Sequence, residues 1–276
     1  MKEGNGTTAL TFWDHLDELR GCLIRIAIVT AACGLAAFFF KEEMFRIVLA
    51  PGKEDFITYK VMETASGWFL PQGGIPEAFS VRLVNTGLAE QFLIHMRTSM
   101  YAGVLCASPY ILYLLFRFVS PALYEREKRY AFRMVGGGYL MFMSGVALSY
   151  LLIFPLTFRF LGTYQVSAEV ENTITLQSYM DTLMMMNLMM GIVFEIPVLC
   201  WLLALFGLIT AGFMRRYRRH AVIIILIVAA VITPTSDIFT LSLVALPMWL
   251  LYETSILIVR RTTGKASPDK HQPYNP

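Results

Sequence analysis

In a chain that is 56% hydrophobic and 16% charged, five ionisable side chains stand where they could do chemistry: Glu18, Arg20 and Glu127 beside the spans, and Glu195 and Glu253 within or near them. Glu18 and Arg20 lie in Phe12-Trp13-Asp14-His15-Leu16-Asp17-Glu18-Leu19-Arg20, where Leu16, Leu19 and Leu23 recur at the i, i+3, i+7 spacing of one helical face. Such a helix lies along a membrane surface, apolar side down, with its charges in the headgroup layer. An ordinary interfacial anchor shows Lys and Arg to lipid phosphates. This stretch shows carboxylates, which seek a cation. Glu127 sits in the charged run Ser120-Pro121-Ala122-Leu123-Tyr124-Glu125-Arg126-Glu127-Lys128-Arg129, where it either meets an incoming cation or pairs with Arg126, Lys128 or Arg129. Glu195 is embedded in an apolar run. A carboxyl there is costly, so it marks a functional site or a protonated, hydrogen-bonded group that packs the bundle. Asn187 and Gly191 share its helical face, and Pro197 just beyond frees the carbonyl of Val193, which predicts an inward carboxyl in a notch.

Other chemistries find no residues. His15, His95, His220 and His271 are scattered, and no HExxH, GxSxG or Walker A pattern occurs. Cys22, Cys33, Cys106 and Cys200 all lie in or at the edge of apolar segments, which argues against a disulfide framework or a cysteine metal site. No catalytic residue, cofactor or metal is expected, and the chain is not read as an enzyme. The basic run Arg215, Arg216, Arg218, Arg219 and His220 abuts an apolar helix and reads as a topology anchor, not a nucleic-acid patch.

Apolar helices must position these groups. With 276 residues and a mean hydropathy of +0.56, the chain is an integral membrane protein. About twenty polar and acidic residues precede the first apolar run with no small-residue cleavage site, which predicts an uncleaved insertion signal. Spans are predicted near residues 23–40, 92–116 (kinked at Pro109), 134–154 (Pro155 at its exit), 183–208, 221–232 and 238–259. The fifth is only about a dozen residues, so it either re-enters from one face or crosses where the bilayer is thinned. The fold class expected is all-α: six transmembrane helices in a concave, laterally open bundle with short fifth and sixth spans. Residues 1–276 form a single polytopic domain, with a surface helix over 1–22, a long cap loop over 41–90 and a disordered tail over 260–276. Basic residues flank the second-to-third and fourth-to-fifth connections and follow the last span. The positive-inside rule then places both termini, the 1–22 helix and the tail in the cytoplasm and the 41–90 cap outside it.

The chain also carries a family resemblance. His15-Leu16-Asp17-Glu18-Leu19-Arg20 resembles the HLxELR opening of TatC, the multispanning subunit of the twin-arginine protein translocase. Residues Ser120 to Arg129 are similar to that family's first cytoplasmic loop, Phe154-Pro155-Leu156 to its third-span exit, and Phe194-Glu195-Ile196-Pro197 to its FExP motif. Thr233-Pro234-Thr235-Ser236-Asp237 resembles its TPxxD turn, and Leu246-Pro247-Met248 through Tyr252-Glu253 its last span. One departure is Leu241, near a place where the family often has a Gln thought to dock a partner helix. The resemblance implies a receptor for folded proteins bearing a twin-arginine signal peptide, in the bacterial cytoplasmic membrane, driven by the proton gradient. It implies single-span TatA/TatB-type subunits as partners, self-association in the complex, lipid around the bundle and no nucleic acid. Glu18, Arg20 and Glu127 would hold the signal peptide; Glu195, Thr233 and Asp237 would make polar contacts within the membrane or with a partner. The competing reading is a proton-coupled small-solute transporter using Glu195, which requires a sealed midplane pocket.

Overall fold

The structure is a computed structural model that describes residues 12–61, 83–119, 131–165, 167, 172–233, 235 and 237–265. Helix α1 (Phe12–Phe39) and α2 (Lys41–Val48) open it, followed by a 3-10 turn and the two-residue strand β1 (Leu83–Val84). Then come α3 (Glu90–Val119) and α4 (Ala131–Leu148), the latter running through a π turn, Ser149–Ile153, into α5 (Phe154–Thr163). Strand β2 (Ile174–Thr175) leads into α6 (Leu176–Val193), α7 (Ile196–Leu205), α8 (Ala211–Arg216), α9 (Arg218–Ile232) and α10 (Ile238–Lys265). Five stretches are long and apolar enough to cross a membrane: 16–39, 90–118, 134–163, 176–205 and 238–262. The sixth, α9, has 15 residues, which at 1.5 Å each reach about 22 Å against a hydrocarbon core of ~30 Å. Shortness is therefore a property of α9; α10 has 28 residues.

The stretch expected to lie along the membrane surface instead continues, from Phe12 on, into the first span as one uninterrupted α1. No Pro or Gly–Gly pair separates them, so the Leu-rich stripe runs straight into the apolar segment. Along α3, α1 approaches closely because Gly34 faces Gly103. A Cβ on Gly103 would lie 2.6 Å from the Gly34 nitrogen and 2.7 Å from the Thr30 carbonyl. Lipid tails are as apolar as leucine, so close backbone contact, not release of water, drives such pairing. Gly145 and Gly191 serve α4 and α6 in the same way.

Three prolines shape the spans. Pro109 has no N–H for the Leu105 carbonyl, and the Ser108 hydroxyl donates to that oxygen at 2.7 Å, so α3 continues past it. Pro155 was expected to end the third span; instead the helix absorbs it in the π turn and runs on to Thr163. The orphaned Leu151 carbonyl takes a hydrogen bond from the Thr58 hydroxyl, out of the 41–61 segment. Pro197 does interrupt its helix. At the step between α6 and α7 the Glu195 N–H bonds Ile192 O, three residues back, at 3.1 Å. The fourth span also begins earlier than its hydropathy, at Leu176, because Thr175 caps it through Ser178 N at 3.2 Å.

The core lies where α5, α6, α9 and α10 meet. Tyr179, Met180, Leu183, Met186 and Met190 of α6 are each exposed by 2% or less, as are Ile153, Phe154, Val244 and Met248. Phe154 and Phe158 each stand edge-on to Tyr179, with centroids 5.1 and 5.0 Å away. Hydroxyls pin the 41–61 segment on top: Tyr150 to Ile47 O (2.6 Å), Tyr179 to Val48 O (3.0 Å), and Tyr59 to Pro51 O and Pro155 O (3.1 Å each). Burial pushes the Tyr59 hydroxyl up to about 12, against the opposing pull of Arg159, so it stays a donor at any physiological pH. The parallel pairing of Leu83 with Ile174 adds a small tie between two loops that hydropathy does not foretell.

Candidate functional site

Glu18 and Arg20 are both exposed on the early turns of α1, one turn before Cys22, which is buried. The helix holds them at a constant height relative to the span that follows. Glu127 and the charged connector around it lie outside the described residues, so its geometry relative to Glu18 stays an expectation.

Glu195 is 8% exposed and sits at the break between α6 and α7. It lines a cavity of about 380 Å³ whose other walls come from α3, α4 and α7, including Ser108, Phe116, Phe142 and Leu199. One carboxyl oxygen, Oε1, has no hydrogen-bond partner among the described residues. Gly138 of α4 makes the room: a Cβ there would stand 3.2 Å from Oε2 and 3.2 Å from Phe116. Rim residues Leu115, Ile192 and Leu199 are each more than two-fifths exposed, so the cavity opens sideways. The expected inward carboxyl in a notch is what the chain forms, with Asn187 (3% exposed) and Gly191 on the same side of α6.

Thr233 and Asp237 flank the turn between α9 and α10. Thr233 is buried with Oγ1 unpartnered among the described residues. Asp237 accepts hydrogen bonds from the Thr235 hydroxyl and, at 2.8 Å, from Thr240 N. It is the cap of α10. Burial alone would raise its pKa, but these hydrogen bonds outweigh it and hold the carboxyl below the usual range. Leu241, the departure from the family pattern, is packed against the core.

Two features escaped the sequence. Arg218 and Glu253, read separately, form an ion pair at 2.6 Å across 35 residues. Gly138 was one of three adjacent glycines; Gly136 and Gly137 face open space and only Gly138 meets Glu195. A local pattern cannot report which of three successive helical directions faces a neighbour.

Comparison with known proteins decides the lineage. Residues 14–247 match the family model "Sec-independent protein translocase protein (TatC)". The chain belongs to the TatC family. The TatC of Koribacter versatilis is 33% identical over 247 residues, covering 90% of this chain and 84% of that one. The TatC of Deinococcus radiodurans is 31% identical, covering 95% and 90%. The crystal structure of a twin-arginine translocase receptor, TatC, superposes with a TM-score of 0.72 at 30% identity, covering 90% of this chain and 99% of that one. A second structure, of TatC in the detergent DDM, gives 0.73 at 29%. This TatC chain is thus a multi-pass membrane component of a protein translocase and not an enzyme. The glutamate notch and the capped turn fall inside the matched region.

Proposed function

We propose that this TatC-family chain is the membrane receptor for twin-arginine signal peptides and the scaffold on which single-span TatA/TatB-type subunits assemble, exporting folded proteins with the proton gradient. The observation that carries the reading is Glu18, an exposed carboxylate fixed at the start of an unbroken α1. Both termini and the 120–130 connector face the cytoplasm of a bacterial cell, and the 41–90 loop caps the far side. Glu18 and Glu127 each accept a bidentate guanidinium, and Arg20 sets the geometry of the first acid. Exposed pairs contribute only about 0.2–1 kcal/mol each, so the apolar part of the signal supplies most of the affinity along the open side of the bundle. Glu195 and Thr233 offer polar contacts to an entering helix, and Asp237 fixes the turn that follows Thr233. The sideways opening of the Glu195 cavity supports this reading over a solute transporter, which needs a sealed site.

The test is photo-crosslinking of a twin-arginine signal peptide, and of its Lys-Lys counterpart, to the intact chain in membranes. Glu18→Lys and Glu127→Lys are expected to lose the Arg-Arg crosslink while the chain inserts normally. Crosslinking at wild-type strength in both variants overturns the acidic clamp.

A further inference from the structure

The connection from α7 to α9 is built more firmly than a loop that only carries topology charges. Gly207, at φ +70°, closes α7 with Gly207 N to Ala204 O (3.0 Å) and Leu208 N to Leu203 O (3.0 Å). The chain then turns into α8, capped by the Thr210 side chain on Phe213 N at 3.2 Å. Two tethers fix this corner to α10. Met214 is buried against Ile256 and Val259 while its carbonyl accepts the Tyr252 hydroxyl at 2.8 Å. Arg218 is held by Glu253 at 2.6 Å. With Met214 buried and Arg218 paired, Arg215, Arg216 and Arg219 are left exposed.

None of these three has an ion-pair partner among the described residues. Residues 206–222 contain no carboxylate, and Glu253 is the sole acid of α10. The same connection carries exposed apolar groups, Leu208 at 70% and Phe213 at 53%. Phe213, Tyr217 and His220 form a row of rings with centroids 4.6 and 5.5 Å apart. The apolar run of α9 starts at Ala221, directly after them. Guanidiniums beside aromatic rings at the edge of a hydrocarbon segment sit at headgroup depth, where the available anion is a lipid phosphate.

We propose that the α8–α9 corner is a binding site for an anionic phospholipid, its phosphate held by Arg215, Arg216 and Arg219 and its acyl chains against Leu208 and Phe213. The site goes beyond the receptor reading and does not depend on it. Topology needs only positive charge here. A preorganised site also needs the guanidinium forks and the tethers that aim them.

Native mass spectrometry of the full chain in detergent, titrated with phosphatidylglycerol or phosphatidylcholine, tests it. The wild type is expected to retain phosphatidylglycerol preferentially. Arg215→Gln/Arg216→Gln/Arg219→Gln is expected to lower that preference roughly a hundredfold. If that variant fails to insert, the corresponding triple Lys variant keeps the charge for topology and is expected to show a smaller but clear fall. Unchanged preference in whichever variant inserts overturns the proposal. So does an equal fall in Arg97→Gln, whose cation lies near the other end of the α3 span. Displacement of the lipid by inorganic phosphate at equal concentration overturns it as well, in favour of a free-anion site.

Discussion

Glu195 owes its place to what is missing beside it. Gly138 has no side chain to fill the space its carboxyl occupies, and Pro197 breaks the helix so that the carboxyl projects from the step between α6 and α7. Three adjacent glycines offer an internal control. Gly138→Ala sets a methyl 3.2 Å from both Oε2 and Phe116, closer than ordinary van der Waals contact, and is expected to displace the carboxyl. Gly136→Ala and Gly137→Ala meet nothing within 4 Å and are expected to be neutral or stabilising by up to about 1 kcal/mol. Crosslinking from a cysteine at Ile192 on the cavity rim, compared across the three variants, reads this. Equal behaviour of all three would mean that Gly138 does not shape the notch. The triplet was visible in the sequence, but its division into one packed and two open positions depends on where α3 and α7 lie.

At the scale of elements, the third span shows how a loop can repair a helix. Pro155 removes the donor to Leu151 O, the π turn widens the backbone there, and Thr58 fills the vacancy from a segment 93 residues away in sequence. The same defect at Pro109 is repaired locally by Ser108, which needs no tertiary partner. Coupling between Thr58 and Pro155 follows. Thr58→Val in the wild-type background leaves a part-buried carbonyl unpaired and is expected to cost about 1 kcal/mol. In a Pro155→Ala background the helix can supply its own donor, and the cost is expected to fall by half or more. Hydrogen exchange of residues 41–61 and thermal unfolding of the purified chain complete the double-mutant cycle. Strict additivity would remove Thr58 from this role. Sequence placed a proline at the end of the third span because a proline without a donor nearby usually ends one. The donor was in another element.

For the whole molecule, the decisive contacts are those that let long helices touch along their backbones. Gly103 against Gly34 sets the distance between α1, which carries Glu18, and α3, whose far end leads toward Glu127. Gly103→Ala places a methyl 2.6 Å from backbone that cannot move aside without separating the helices. It is expected to destabilise the chain by about 1–3 kcal/mol, the usual cost of overpacking. Gly21→Ala, on the same α1 in open space, is the matched control and is expected to raise stability slightly. Melting of the two variants in detergent checks both; an unchanged Gly103→Ala would show that α1 is free to shift on α3.

By itself the sequence determined that this is a helical membrane protein, roughly where its spans run, that α9 is short, that an acid opens the chain and another is buried in the fourth span. It also carried the family, through six motifs in order. Those properties are local: hydropathy averaged over a span, charge beside it, and short strings of residues. Tertiary structure alone decided that Pro155 would not end a helix, that the fourth span would start at Thr175's cap, and that Arg218 would pair with Glu253. It alone decided which glycine would face Glu195 and that the notch would open sideways. Each of these depends on a partner brought in from a different element, and neither hydrophobic period nor residue type records which faces of two helices will meet.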